Sequence, residues 1–194
     1  ISNLKKQFDT DPFIKSEQIT ITGILLLYNN MLQSLFDSQI KSLGFVMIII
    51  ASMFLILFKS ITLMVIGIIP NLLSALFVLG IMGILKIPLD MMTITIAAIT
   101  IGIAVDNSIH YIYRFREEYK RLNDYEKTIL VCHSSIGRAI FFTGITIIFG
   151  FSILVLSNFI PTIIFGVLTG LAMFVALIAV LTLLPRLILS IKPV

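Results

Sequence analysis

The sequence predicts an all-α membrane protein, a bundle of five transmembrane helices preceded by the tail of an extracytoplasmic α/β domain. Three observations lead there. The 194 residues are 58% apolar and 12% charged, with mean hydropathy +1.10, whereas soluble domains run about 45–50% apolar and about 25% charged. Five runs are apolar enough to cross a hydrocarbon core about 30 Å thick, which takes roughly 20 helical residues. Most charges fall in the segments between those runs.

This composition excludes a water-soluble enzyme and a disordered chain. With 11 Gly, 6 Pro and one cysteine, Cys132, it is neither collagen-like nor a disulfide scaffold. The net charge of +4 is explained by membrane topology, because the basic residues cluster between apolar runs; nucleic acid is not expected as a partner. The chain opens at Ile1 with no apolar signal core, and a longer protein is expected around it.

Residues 1–41 read as the end of the extracytoplasmic domain. Residues 18–22 alternate Ile19 and Ile21 with Thr20 and Thr22, a strand signal closed by Gly23. Residues 24–41 then carry Tyr28, Met31, Leu32, Leu35 and Phe36 at helical spacing.

Residues 42–188 form the transmembrane bundle, with spans at about 43–58, 61–85, 91–113, 139–159 and 161–184. Short connections at 59–60, 86–90 and 157–161 predict that consecutive spans are antiparallel neighbours. The longer connection, 114–138, places Asn123 three residues before Glu126 like a capping box. Ile129, Leu130, Cys132, His133 and Ile136 follow on one side. That pattern predicts an amphipathic helix on the inner membrane surface. Residues 189–194 form a tail.

Lys and Arg counts set the expected orientation. Nine fall on the side of Lys59, Arg114–Arg138, Arg186 and Lys192, and five on the side of Lys5, Lys6, Lys15, Lys41 and Lys86. The positive-inside rule puts the nine in the cytoplasm and residues 1–41 outside, so an earlier transmembrane helix is expected upstream.

Asp106 is the only acid within the five runs. Ending the third helix near Arg114 puts it roughly 12 Å from the cytoplasmic edge. A charge there costs about 2.5–3.5 kcal/mol on insertion scales, so such a residue is a functional candidate. His110 lies one turn on, on the same face, and the Asp-x-x-x-His pair is suited to relaying a proton. Thr95, Ala98 and Gly102 lead to Asp106 as small side chains that let another helix approach, which predicts that Asp106 faces protein. Asn71, beside the helix-interrupting Pro70, and Thr143 and Thr146, at a depth comparable to His110, are the expected supporting polar groups. Gly67, Asn71 and Ser74, and Gly166 with Gly170, read as helix-packing stripes. No phosphate-binding loop, nucleophile elbow or metal cluster is present. Cys132 beside His133 is a two-ligand pattern too small for a metal site. The expectation is a non-enzyme without cofactors, with protons as the coupling ion.

The segment Gly102-Ile-Ala-Val-Asp106-Asn107-Ser-Ile-His110, followed by Tyr113-Arg-Phe-Arg116-Glu-Glu118, resembles the fourth-helix signature of RND-superfamily exporters of the MMPL-like, Patched-related branch. Gly137-Arg138-Ala-Ile, Thr143-Gly-Ile-Thr146, Gly150-Phe151 and Phe165-Gly166 are similar to the stretches that come after it in that branch. The resemblance implies an RND-type bundle belonging to one half of a two-half transporter, each half having one helix, an outer domain and five further helices. It further implies proton-driven export of hydrophobic or lipid-like compounds from a bacterial inner membrane, with Asp106 on the coupling-acid position. The implied partners are the other half, membrane lipids, a hydrophobic substrate and further copies of the protein. Asn107 departs from the aromatic residue many relatives carry beside the acid. Two alternatives share the architecture: an accessory of the Sec translocon, disfavoured by His110 and the pattern at 137–151, and a sterol- or lipid-sensing domain that pumps nothing.

Overall fold

The computed structural model describes residues 24–87 and 91–193. Helix α1 spans Ile24–Phe58, α2 Ile61–Ile84, α3 Met91–Leu122, α4 Tyr125–Cys132, α5 Arg138–Ser152, α6 Ile160–Ile178 and α7 Leu184–Ile191. A π-helical turn, His133–Gly137, joins α4 to α5, and a second, Ala179–Leu183, joins α6 to α7. A 3₁₀ turn, Ile153–Leu156, ends the α5 segment. No strand occurs among the described residues, and the strand expected at 18–22 lies outside them, as does the α/β tail it belongs to. The chain divides into two compact units, Ile1–Ser38 and Gln39–Val194, and the buried core of the bundle lies within the second.

Among the described residues, five helical stretches are long and apolar enough to cross a membrane: Leu27–Phe58, Ile61–Ile84, Thr95–Leu122, Tyr125–Leu156 and Ile160–Ile191. Each overlaps one of the five runs of the sequence, the first and fourth starting well before theirs and the third ending beyond its own. α2 starts at Ser60, whose extended backbone lets its Oγ accept from the Leu63 N–H at 3.4 Å, and it continues through Pro70 as one helix. The breaks beside α1, α2 and α3 fall at Lys59, Lys86 and Asn123, with φ of 51°, 52° and 50°. Each reverses the chain in the left-handed region that usually ends helices, here without glycine.

The third helix runs to Leu122, beyond the expected limit at 113. Its protruding turns are laced by Arg114 to Glu118 at 2.8 Å, Arg114 to Glu117 at 2.9 Å and Arg121 to Glu118 at 3.4 Å. Asp124, not Asn123, caps α4. Asn123 holds a positive φ, whereas Asp124 is extended (φ −140°, ψ 119°) and accepts from the N–H groups of Glu126 and Lys127 at 3.0 and 3.2 Å. The Lys127 N–H is the main cause holding the Asp124 carboxyl below its ordinary pKa.

The expected surface helix is instead continuous with the fourth span. Cys132 and Thr128 are buried, and α4 packs on α3 and α7. Tyr111, Phe115, Leu184 and Ile188 belong to the same core cluster as Cys132, so this apolar side is occupied by protein.

At the centre α2, α3 and α6 pack on one another. The expected pairs α2–α3 and α5–α6 are present, but α3 also packs closely on α6, and α4, not the spanning part of the fourth segment, makes the main contact between α3 and that segment. The connection through α4 is long enough to carry the chain to a position that is not adjacent. α1 reaches the centre through Phe54 and Phe58, both buried, with the Phe54 ring seated over Gly67.

Of the two glycines of the GxxxG stripe in α6, one sets a close approach. A Cβ added at Gly166 would lie 2.7 Å from Leu154 Cβ and 2.8 Å from Phe151 O, whereas one at Gly170 would meet nothing nearer than Ser152 Oγ at 3.9 Å. Gly166→Ala is therefore expected to destabilise by about 1–3 kcal/mol, the usual range for overpacking, and Gly170→Ala by much less. Thermal unfolding of the two variants in detergent checks the difference; equal stability would show that the α5–α6 contact is looser than these distances imply.

Candidate functional site

α3 has two faces. Ile101, Ala104, Val105, Ser108, Tyr111, Ile112 and Phe115 are buried. Thr95, Ala98, Gly102, Asp106 and His110, at three- and four-residue spacing, form an exposed stripe on another side. His110 Nε2 lies 3.5 Å from Asp106 Oδ1, and their side chains are 61% and 71% exposed. The two residues predicted to act together are thus brought together.

The cover predicted for them is not supplied by the described residues. A Cβ at Gly102 would meet nothing within 4 Å. Thr143 and Thr146 are likewise exposed on α5, and Thr146 Oγ1 donates to the Phe142 carbonyl of its own helix at 2.9 Å. No hydrogen bond among the described residues joins either threonine to Asp106. Asn107 is half-buried at the edge of the stripe.

Asn71 serves the opposite side of α3. Its Nδ2 donates to Gly67 O at 2.7 Å and to Ser108 Oγ at 3.2 Å, while Ser108 donates to Ala104 O at 3.2 Å. This buried tie joins α2 to α3. Ser108 stands two residues from Asp106, about 200° around the helix, so α3 separates the tie from the acid. The sequence reading missed Ser108; its signal was a polar residue beside Asn107 in an apolar run.

A second polar cluster lies where the two π turns meet. The His133 ring has Nε2 3.0 Å from Leu181 O and Nδ1 2.9 Å from the Tyr111 hydroxyl, with Ile129 O at 3.3 Å from Nδ1. A carbonyl only accepts, so Nε2 carries the proton toward Leu181, and in the neutral ring Nδ1 accepts from Tyr111. One imidazole thereby bridges the turn at 133–137, the turn at 179–183 and α3. Sequence reading placed His133 on one side of a surface helix and weighed it with Cys132 as a metal pair, but did not foresee this bridge. Among the described residues no three His, Cys, Asp or Glu side chains gather for a metal ion.

Five membrane-capable helices with a polar stripe on one of them define an integral membrane protein. Residues 9–191 match the MMPL family, and the chain belongs to it, a family of transporter-like membrane proteins. A protein of Methanocaldococcus jannaschii named as a membrane protein is 28% identical over 188 residues, covering 97% of this chain and 48% of that protein. The membrane protein YdgH of Bacillus subtilis is 30% identical over 172 residues, 85% of this chain and 19% of YdgH. The chain thus spans about half of one relative and a fifth of the other. No solved structure matches it.

Removing the His133 ring leaves Leu181 O without that donor and the buried Tyr111 hydroxyl without a partner. His133→Ala is expected to cost about 1–3 kcal/mol, and Tyr111→Phe less, since it removes the stranded group too. Thermal unfolding of both variants tests this, and an unchanged His133→Ala protein would mean the bridge bears no load.

Proposed function

We propose that this chain is the five-helix part of one half of a secondary transporter in a cytoplasmic membrane, exporting hydrophobic or lipid-like compounds on the proton-motive force. The observation that carries the reading is the uncovered Asp106–His110 pair within the membrane-capable stretch of α3, ahead of the charged turns that begin at Arg114. A carboxylate facing lipid is costly, so this stripe calls for a protein or water surface against it. The other half of the same transporter, or a further copy, supplies such a surface. The chain's coverage of 48% and 19% of its relatives leaves room for one. Family membership and the Gly102–His110 segment support the same reading.

In this scheme Asp106 takes up a proton from one side and releases it to the other. His110, one turn nearer the basic end, passes the proton, and Asn107 and Gly102 flank the site. The change of charge favours different cover for the stripe in the two states, which couples protons to helix movement. Thr143 and Thr146 present hydroxyls on another exposed face and join the path only if the helices rearrange. A lipid-sensing domain would use the same bundle but would have no need of an ionisable group on this face.

In the full-length protein, Asp106→Asn keeps size and hydrogen bonding but cannot ionise. It is expected to fold and to lose export by tenfold or more (about 1.4 kcal/mol), while His110→Ala lowers export less and shifts its pH dependence. Transport into inverted vesicles under an imposed proton gradient reads both. Parental export by Asp106→Asn would transfer the reading to the sensing alternative.

The proposed orientation places the N-terminal segment outside and the C-terminus in the cytoplasm. A cysteine placed at Lys86 should be labelled by an impermeant maleimide from outside sealed cells, and one at Asn123 should not. The reverse pattern overturns the orientation.

A further inference from the structure

From Thr128 to Val194 the chain contains no Asp or Glu, yet it carries Arg138, His133, Arg186 and Lys192. The arginines of α3 are all engaged: Arg114 and Arg121 with Glu118, and Arg116 with the Phe58 carbonyl at 3.0 Å. Arg138 differs. It is exposed and makes no hydrogen bond or ion pair among the described residues, and the helices beyond it offer no acid to pair it.

Arg138 lines a groove of about 440 Å³ together with His133, Gly137, Phe141, Phe142 and Leu181. That size lies within the range of ligand pockets, about 300–1,000 Å³. On α5, Phe141 and Phe142 sit three and four residues beyond Arg138 and so share its face, both exposed. Leu181 lines the groove from the second π turn. The His133 ring is held there by Leu181 O and Tyr111. The result is one cation at the end of an apolar span, lining the same groove as two aromatic rings, with the His133 wall held in place by hydrogen bonds.

We propose that this groove holds an anionic phospholipid, its phosphate against the Arg138 guanidinium and its acyl chain along Phe141, Phe142 and Leu181. An arginine matches a phosphate through paired N–H donors, and basic pockets between spanning helices hold anionic headgroups by this arrangement. A free anion would use the guanidinium but not the aromatic wall, which singles out a lipid. The inference rests on membrane insertion and not on transport, so it stands or falls separately from proton coupling.

The test uses the full-length protein in detergent, with retained lipid counted by native mass spectrometry on adding phosphatidylglycerol or phosphatidylcholine. Phosphatidylglycerol should be retained preferentially. Arg138→Gln should weaken its retention about fivefold, given about 1 kcal/mol per basic residue near an anionic surface. Arg138→Lys should weaken it less, and Phe142→Ala should weaken it without altering the response to inorganic phosphate. Arg186→Gln, which removes a second exposed cation outside the groove, should leave it unchanged. Equal retention of the two lipids, equal losses for Arg138→Gln and Arg186→Gln, or full displacement by millimolar inorganic phosphate would each overturn the proposal. So would unaltered retention by Arg138→Gln, the result expected if an acid elsewhere in the protein pairs with Arg138.

Discussion

Hydrocarbon offers no hydrogen-bond partner, and this constraint organises the whole bundle. Polar side chains that enter it bond backward to the carbonyl four residues earlier: Ser52 to Ile48, Ser74 to Pro70, Thr100 to Ile96, Ser108 to Ala104, Thr146 to Phe142, Ser152 to Ile148 and Thr182 to Ile178. Each helix thereby absorbs its own hydroxyls and leaves neighbours to meet through shape. Among the described residues, Thr169 Oγ1 alone is buried with no partner. The bonds that cross between helices, among them Asn71 with Ser108, Arg116 with the Phe58 carbonyl, and His133 with Tyr111 and Leu181, each fix a particular neighbour.

With polar groups absorbed in this way, contact between helices depends on how closely backbones approach. Phe54 over Gly67, Leu177 against Gly144 and Leu154 against Gly166 are three meetings of a large side chain with a bare backbone. All three involve α2 or α6, two of the three central helices. In lipid, where apolar tails compete equally with apolar side chains, such steric fit replaces the hydrophobic drive that assembles a soluble core. α1 and α5 contribute one principal face each and leave large residues such as Phe45, Ile56, Phe142 and Phe149 outward, as lipid-facing helices should.

The spans were legible in the sequence because apolar length is a one-dimensional quantity, and so was the Asp106–His110 pairing, because a four-residue spacing sets a face without knowledge of the fold. Neighbour choice was not legible. A short loop implies adjacency, but the 114–138 connection folds into a helical extension of the fourth segment, and nothing in its periodicity says whether its apolar side meets lipid or Tyr111 and Leu184. The cap at Asp124 turned on backbone angles that two adjacent capping residues leave open. Asn71 was singled out as a polar and packing residue, but its partner Ser108 is known only once α2 and α3 are docked. His133 escaped because its partners include a main-chain carbonyl, and a carbonyl freed by a π turn leaves no mark on the sequence.

The two faces of α3 are therefore under opposite demands. On the buried face, Ser108 is tied to α2 and Tyr111 to His133, and both bonds would break if the helix turned about its own axis. On the exposed face, Asp106 and His110 have, among the described residues, only each other within ion-pair reach. Under the proposed function, a change of protonation alters the stripe's affinity for its cover while the buried bonds resist rotation of α3 alone. The movement coupled to the proton is then a displacement of α2, α3 and the His133 bridge as one body against whatever covers the stripe. Packed interfaces shift between discrete arrangements more readily than they deform, and a helix bound on one side and bare on the other is suited to such a shift.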